Sequence, residues 1–214
     1  TVNIWCRETG IPLNVRSAID AHLDGQDVQV DVGWAGAHLF LLMASAGWDA
    51  DAAKHVSTRV KRMIGPGAYP LAFLQRLPRL RRTLATWHSG VATEERRTAL
   101  VVISNTRLYG GKVRFAPEAT AVDGMLDVAG ICPSNLWAGL RIAGRIAIDR
   151  IPGDDDVVWF RTPDLEITTP GIPVQADGDY LGETPMKFRV EREALVVRVP
   201  AGELAPILGG PERR

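Results

Sequence analysis

Two carboxylates flank a single glycine in the stretch Val174-Gln175-Ala176-Asp177-Gly178-Asp179-Tyr180-Leu181-Gly182-Glu183-Thr184-Pro185. Asp-Gly between two segments that read as β-strands predicts a hairpin, because glycine accepts the positive φ of a tight turn. By turn chemistry alone this is an ordinary hairpin tip. Two carboxylates held at a domain edge could also take a proton from a substrate hydroxyl. Other turns are similarly rich in Asn, Gly and Asp: Ser104-Asn105 followed by Tyr109-Gly110-Gly111, and the run from Ala116-Pro117 to Asp123-Gly124-Met125-Leu126-Asp127-Val128. Each is weak by itself.

Other catalytic signatures are missing from the sequence. There is no Gly-x-Ser-x-Gly elbow, no His-Glu-x-x-His pair and no complete phosphate-cradling glycine loop. His22, His38, His55 and His88 fall on separate elements without ligand spacing and read as structural or surface residues. With 25 basic and 25 acidic residues in 214, no global field draws the protein to nucleic acid or membrane. Cys6 and Cys132 match no metal-ligand spacing, and free thiols in a reducing cytosol are expected. No apolar run approaches the roughly 18 residues of a membrane span, and no signal peptide is evident. The chain opens on Thr1-Val2-Asn3 rather than on Met, which suggests a fragment or processed product.

These turns must be carried by regular elements. Asn14 is placed to cap a helix through Leu23, with Val15, Ala18, Ile19 and His22/Leu23 three or four apart, as one buried face of a helix requires. Val28, Val30 and Val32 alternate with polar residues or glycine, as in a half-buried strand. Residues 38–46 are nearly all apolar and predict one strand buried on both faces, before a helix capped by Asp49. An amphipathic helix over 69–77 ends in the basic cluster Arg76, Arg79, Arg81 and Arg82, which reads as a solvated face or as a contact with anionic lipid. Further strands are expected at 83–88, 99–104, 125–129, 157–161, 165–168, 187–190 and 195–199, with one helix at 136–146. The fold class is therefore mainly β with a few helices (α+β), a β-sandwich carrying helices outside it. The expected division is a linker helix region at 1–24, a β-rich domain at 25–200 and a tail at 201–214.

Taken together and in order, the turns resemble the bacterial diacylglycerol kinase and sphingosine kinase-like lipid kinases. The resembling motifs are Asn105 before Tyr109-Gly110-Gly111, Pro117-Glu118-Ala119 before Asp123-Gly124-Met125-Leu126-Asp127-Val128, and Asp177-Gly178-Asp179 before Thr184-Pro185. Gly47-Trp48-Asp49-Ala50 after a buried strand also fits, as do Lys61, Gly65 and Ala68-Tyr69. The resemblance runs from the first residue to about Pro200. It implies the C-terminal β-sandwich domain of a two-domain kinase that transfers the γ-phosphoryl group of ATP to a lipid hydroxyl. Thr1 and Asn3 would be the tail of the nucleotide loop, and ATP would bind chiefly to a missing N-terminal domain, leaving this chain alone inactive. The resemblance implies a magnesium site at Asp123 with the carbonyls of Thr120 and Met125, and a general base at Asp177 or Asp179. The family's Glu is Asp179 here, one methylene shorter, so the choice between the two aspartates stays open. The implied setting is lipid and phospholipid metabolism in the cytoplasm, with room for a peripheral membrane contact and a homodimer and no role for nucleic acid. Two other readings stay open: a non-catalytic lipid- or membrane-binding module, and a kinase of a soluble substrate such as NAD.

Overall fold

The computed structural model describes residues 3–55, 83–89, 93–109, 113–147 and 156–210. Two helices, α1 (Ile4–Thr9) and α2 (Val15–Leu23), lead into three strands, β1 (Gln26–Ala35), β2 (His38–Phe40) and β3 (Met43–Gly47), and then α3 (Trp48–His55). Strands β4 (Thr83–Ser89), β5 (Thr93–Thr98), β6 (Leu100–Ser104), β7 (Leu108–Tyr109), β8 (Val113–Arg114) and β9 (Leu126–Ile131) precede the helix α4 (Leu136–Ala147). Five more follow: β10 (Val157–Thr162), β11 (Asp164–Ile167), β12 (Pro173–Ala176), β13 (Asp179–Glu183) and β14 (Met186–Val199).

The long strands assemble into two six-stranded sheets, β2-β1-β14-β11-β4-β5 and β10-β9-β6-β3-β12-β13. Trp87, Leu165, Ile167, Phe188 and Phe40 of the first sheet meet Val101, Ile103, Val128, Val174 and Ala46 of the second in one buried core. This is the expected sandwich. Leu100, Val102, Ala129 and Ile131 alternate onto the second sheet's other face, where Phe115 and Ile142 of α4 cover them. That cover is why β6 and β9 read as continuous apolar runs. A third cluster packs Val30 and Val199 of the first sheet against Ile207 and Leu208, with Trp5 of α1 beside them.

Asn14 caps α2 as expected, accepting from the N–H groups of Arg16 and Ser17 at 3.0 and 3.3 Å, but the apolar face expected to be buried is not, since Val15, Ile19 and Leu23 are exposed. Several other expectations need correction. The apolar run 38–46 is two strands, because the chain corners at Leu41-Leu42 and passes from the first sheet to the second. Hydrophobicity could not show that corner, since apolar residues run unbroken through it, and the expected burial on both faces fails on the β2 side, where His38 and Leu39 are exposed. The strands expected at 187–190 and 195–199 are one 14-residue strand, β14. It has a register shift against β1 between Val30 and Val32, and Glu193 there sits at φ +52. Asp49 lies in the first turn of α3, with its carboxylate directed to side chains of other segments. Helix α1 and the charged edge strand β5 carry no clear periodicity and were not anticipated. The basic helix expected at 69–77 lies outside the described residues.

Candidate functional site

The Asp-Gly turn is formed as its residues dictate. Asp177 and Gly178 have φ of +48 and +93, a two-residue turn of the type I′ sense between β12 and β13. The left-handed conformation is unfavourable for a side chain-bearing residue. Here it directs the Asp177 carboxylate onto the chain corner, where it accepts from the N–H groups of Leu41 (2.8 Å), Leu42 (3.0 Å) and Met43 (3.0 Å). The Asp177 N–H in turn donates to the Met43 carbonyl at 2.9 Å. Desolvation raises the Asp177 carboxyl above the ordinary aspartate range; the three N–H donors oppose the rise and the charge of Asp179 adds to it. Asp179 opens β13 opposite Ala176 and is exposed. Both aspartates are exposed residues, and what distinguishes Asp177 is that its carboxylate holds three backbone N–H groups of the corner.

Behind the turn lies a buried polar cluster. Gly178 N–H donates to Gln175 Oε1 at 2.8 Å, while Gln175 Nε2 donates to Ser45 Oγ at 2.7 Å and to Asp49 Oδ2 at 3.3 Å. The same Asp49 oxygen accepts from Ser45 Oγ at 2.6 Å and Tyr109 Oη at 2.7 Å. Burial pushes the Asp49 carboxyl up, against the lowering effect of these donors.

Hydrogen bonds carry this arrangement across to the second acidic loop. Asn105, buried after β6, donates through Nδ2 to the carbonyls of Leu41 (2.9 Å) and Asp31 (3.1 Å), and its N–H reaches Leu42 O at 2.9 Å. Asp31, 1% exposed, accepts from the N–H of Gly124 at 2.6 Å and of Glu193 at 2.8 Å. Asp31 was hidden in the sequence because strand alternation assigned it to a polar face. The β14 irregularity turns that face inward at this point.

Thr120, Asp123 and Met125 do come together. Asp123 accepts from Thr120 Oγ1 at 2.7 Å and from Met125 N–H at 3.0 Å, and it also pairs with Arg161. Asp127 lies 3.4 Å from Arg161 through Oδ1, and its Oδ2 is buried without a hydrogen-bond partner among the described residues. Burial, with Asp123 and Glu118 adding to it against the opposing charge of Arg161, pushes the Asp127 carboxyl up to about 6. This local surplus of carboxylate and the hard oxygen donors suit a cation such as magnesium. Among the described residues no three His, Cys, Asp or Glu side chains are grouped to hold a metal. A cation here would accordingly rely on Asp123 and main-chain oxygens.

Of the two expected nucleotide-loop residues, Thr1 lies outside the described residues. Asn3 caps α1, accepting from Cys6 N–H at 3.2 Å. One turn later, buried Glu8 accepts from Leu108 N–H at 2.6 Å and pairs with Arg107 at 3.1 Å, tying α1 to the segment that leads to Tyr109.

A two-sheet sandwich with an acidic turn at one sheet edge defines a class of domain rather than a single activity. Residues 43–199 match the family described as the YegS C-terminal NAD kinase beta sandwich-like domain, and the chain belongs to that family. It is 31% identical over 213 residues to a Pseudomonas putida protein named probable lipid kinase YegS-like, a match covering 99% of this chain and 69% of that protein. It is 25% identical over 190 residues to the diacylglycerol kinase of Bacillus subtilis, covering 88% of this chain and 63% of the relative. Two crystal structures from Bacillus anthracis share the fold. One has a TM-score of 0.77 at 18% identity, covering 94% of this chain and 66% of its own. The other, described as a diacylglycerol kinase, has a TM-score of 0.66 at 16% identity, covering 94% of this chain and 64% of its own. The chain thus spans about two-thirds of the length of these relatives.

Proposed function

We propose that the protein carrying this chain transfers the γ-phosphoryl group of ATP to the hydroxyl of a lipid, with Asp179 as the general base. The observation that carries the assignment within the pair is the commitment of the Asp177 carboxylate to three backbone N–H groups of the corner. The lipid-kinase names of the relatives support the reaction class. As the lipid oxygen bonds to the γ-phosphorus, its proton passes to the Asp179 carboxylate and the bond to the β-phosphate oxygen breaks, releasing ADP. Asp177 fixes the turn and does not take part in the proton transfer. Magnesium, held by Asp123 with the carbonyls of Thr120 and Met125, would supply positive charge and stiffen the loop. Thr1 and Asn3 would border the nucleotide.

Among the described residues no helix is long and apolar enough to cross a membrane. The exposed Leu136, Trp137 and Leu140 of α4 support a peripheral contact with a bilayer surface, where a lipid acceptor would be met. The same exposed residues are what a non-catalytic lipid-binding module would use. The discriminating experiment incubates the protein, together with its nucleotide-binding portion, with ATP labelled at the γ-phosphate. Diacylglycerol, a sphingoid base and NAD are offered as separate acceptors. Label in a lipid product is expected; label only in the NAD product, or lipid binding without transfer, would replace this reading by one of the two alternatives.

A further inference from the structure

The buried cluster behind the Asp177-Gly178 turn holds its hydrogen bonds in one orientation. Gly178 N–H can only donate, so its partner on Gln175 is the amide oxygen; Asp49 Oδ2 already accepts from the Ser45 and Tyr109 hydroxyls, so the Gln175 group that faces it is the amide nitrogen. The Gln175 side chain satisfies both ends, with Oε1 toward Gly178 and Nε2 toward Ser45 and Asp49. Flipping the amide would oppose two donors at one end and bring oxygen against carboxylate at the other. Gln175 is only 6% exposed, so no bulk water is at hand to replace a lost partner. Asp49 is fixed in its turn by Ser45 from β3 and Tyr109 at the end of β7. One side of the turn is thus tied through Asp177 to the Leu41-Met43 corner, and the other through Gly178 to the Gln175–Asp49 pair.

We infer that Gln175 is a positioning residue for the Asp177-Gly178-Asp179 turn, oriented by Asp49, and that together they set the direction in which Asp179 presents its carboxylate. The consequence for phosphoryl transfer rests on the function proposed above; the consequence for the turn does not. Asp49 works through Gln175 and has no part in the chemistry. Neither residue is needed to contact ATP, so their loss should act on turnover rather than on nucleotide binding.

The test uses Gln175→Met, which keeps length and apolar packing but removes the amide, Asp49→Asn, which keeps an acceptor oxygen, and Tyr109→Phe. The last deletes a buried hydrogen bond to the same Asp49 oxygen without touching the Gln175–Gly178 link, and so controls for general loosening. Amide hydrogen exchange is followed at residues 176–180 and in β6 and β9, alongside kcat and KM for ATP in the kinase-competent protein. Gln175→Met should raise exchange at Gly178 about tenfold, the loss of one buried hydrogen bond, while β6 and β9 stay protected. It should lower kcat by about the same factor or more with KM for ATP unchanged, whereas Asp49→Asn, which keeps an acceptor oxygen for the Gln175 amide, should retain most of the protection and most of kcat. Tyr109→Phe, which leaves Ser45 and Gln175 on Asp49, should loosen the turn less than Gln175→Met does. Unchanged exchange at Gly178 in Gln175→Met would overturn the inference, as would equal loosening of the turn by Tyr109→Phe. A loosened turn in a protein whose wild type transfers no phosphate would uphold the positioning role and reject the kinase reading.

Discussion

At the scale of single residues, the two aspartates of one turn should separate by experiment. Asp177 accepts three N–H groups at a corner where the chain changes sheets, so Asp177→Ala leaves three donors short of a partner. At about 1 kcal/mol for each such bond, a loss on the order of 2–3 kcal/mol is expected in denaturant unfolding. A loss below about 0.5 kcal/mol would show that the corner holds without the carboxylate. Asp179, exposed on β13, should tolerate substitution with little change in stability. The sequence made the turn itself plain, because Asp177-Gly178 has few other uses between strands. It could not divide the roles of its two carboxylates, since the partners of Asp177 lie more than 130 residues away in sequence. Asp31 and Gln175 were hidden for the same reason: each is a polar residue in a strand, and only its distant partners show that it faces inward.

At the scale of elements, glycine and acid placement carry specific loads. Gly33 in β1 lies opposite Phe40 in β2, and a Cβ at Gly33 would come within 2.0 Å of the Phe40 ring. Gly33→Ala should therefore displace the ring and cost about 1–3 kcal/mol, read as a lower denaturation midpoint. No loss would mean that β2 moves freely on β1. The Asp123–Asp127 loop should show itself in pH dependence. The Asp127 carboxyl is pushed from 3.8 to about 6 in the folded state, so in metal-free buffer the folded chain holds a proton that the unfolded chain has released. Stability should then fall as pH rises from about 4 to about 6 and level off above, by about 3 kcal/mol across the window. Asp127→Asn should make that slope shallower, the raised Asp49 and Asp177 carboxyls keeping a dependence of the same sign, and an equally steep slope in the variant would assign the effect to those groups. The helices and most strands of this region were legible from apolar period alone. The break at Leu41-Leu42 was not, because Leu39 to Ala44 are all apolar and leave no polar gap at the corner.

For the molecule as a whole, stability should reside in the contact between the two sheets. Trp87 is 1% exposed at the centre of that contact, and its indole N–H is buried without a partner among the described residues. Trp87→Phe removes the unsatisfied donor with modest loss of volume and should stay within about 1 kcal/mol of the parent, whereas Trp87→Ala should cost about 3–5 kcal/mol. Similar losses in the two variants would move the weight of the residue from packing to its polar edge. The sandwich was readable in outline from many short strands punctuated by Gly and Pro. The strand order was not, because β14 joins β1, from the opposite end of the chain, to β11. The acidic loops are likewise joined by Asn105 and Asp31, so that one fold sets both the Asp177 turn and the Asp123 loop.

The central claim, that Asp179 takes the proton from a lipid hydroxyl during phosphoryl transfer, is tested most directly by Asp179→Asn. The measurement is transfer of labelled γ-phosphate to the preferred lipid acceptor by the protein joined to its nucleotide-binding portion, with nucleotide binding measured in parallel. The variant should bind ATP as the parent does, unfold at the same denaturant concentration, and lose turnover by about a hundredfold or more. Turnover at the parental rate would contradict the account.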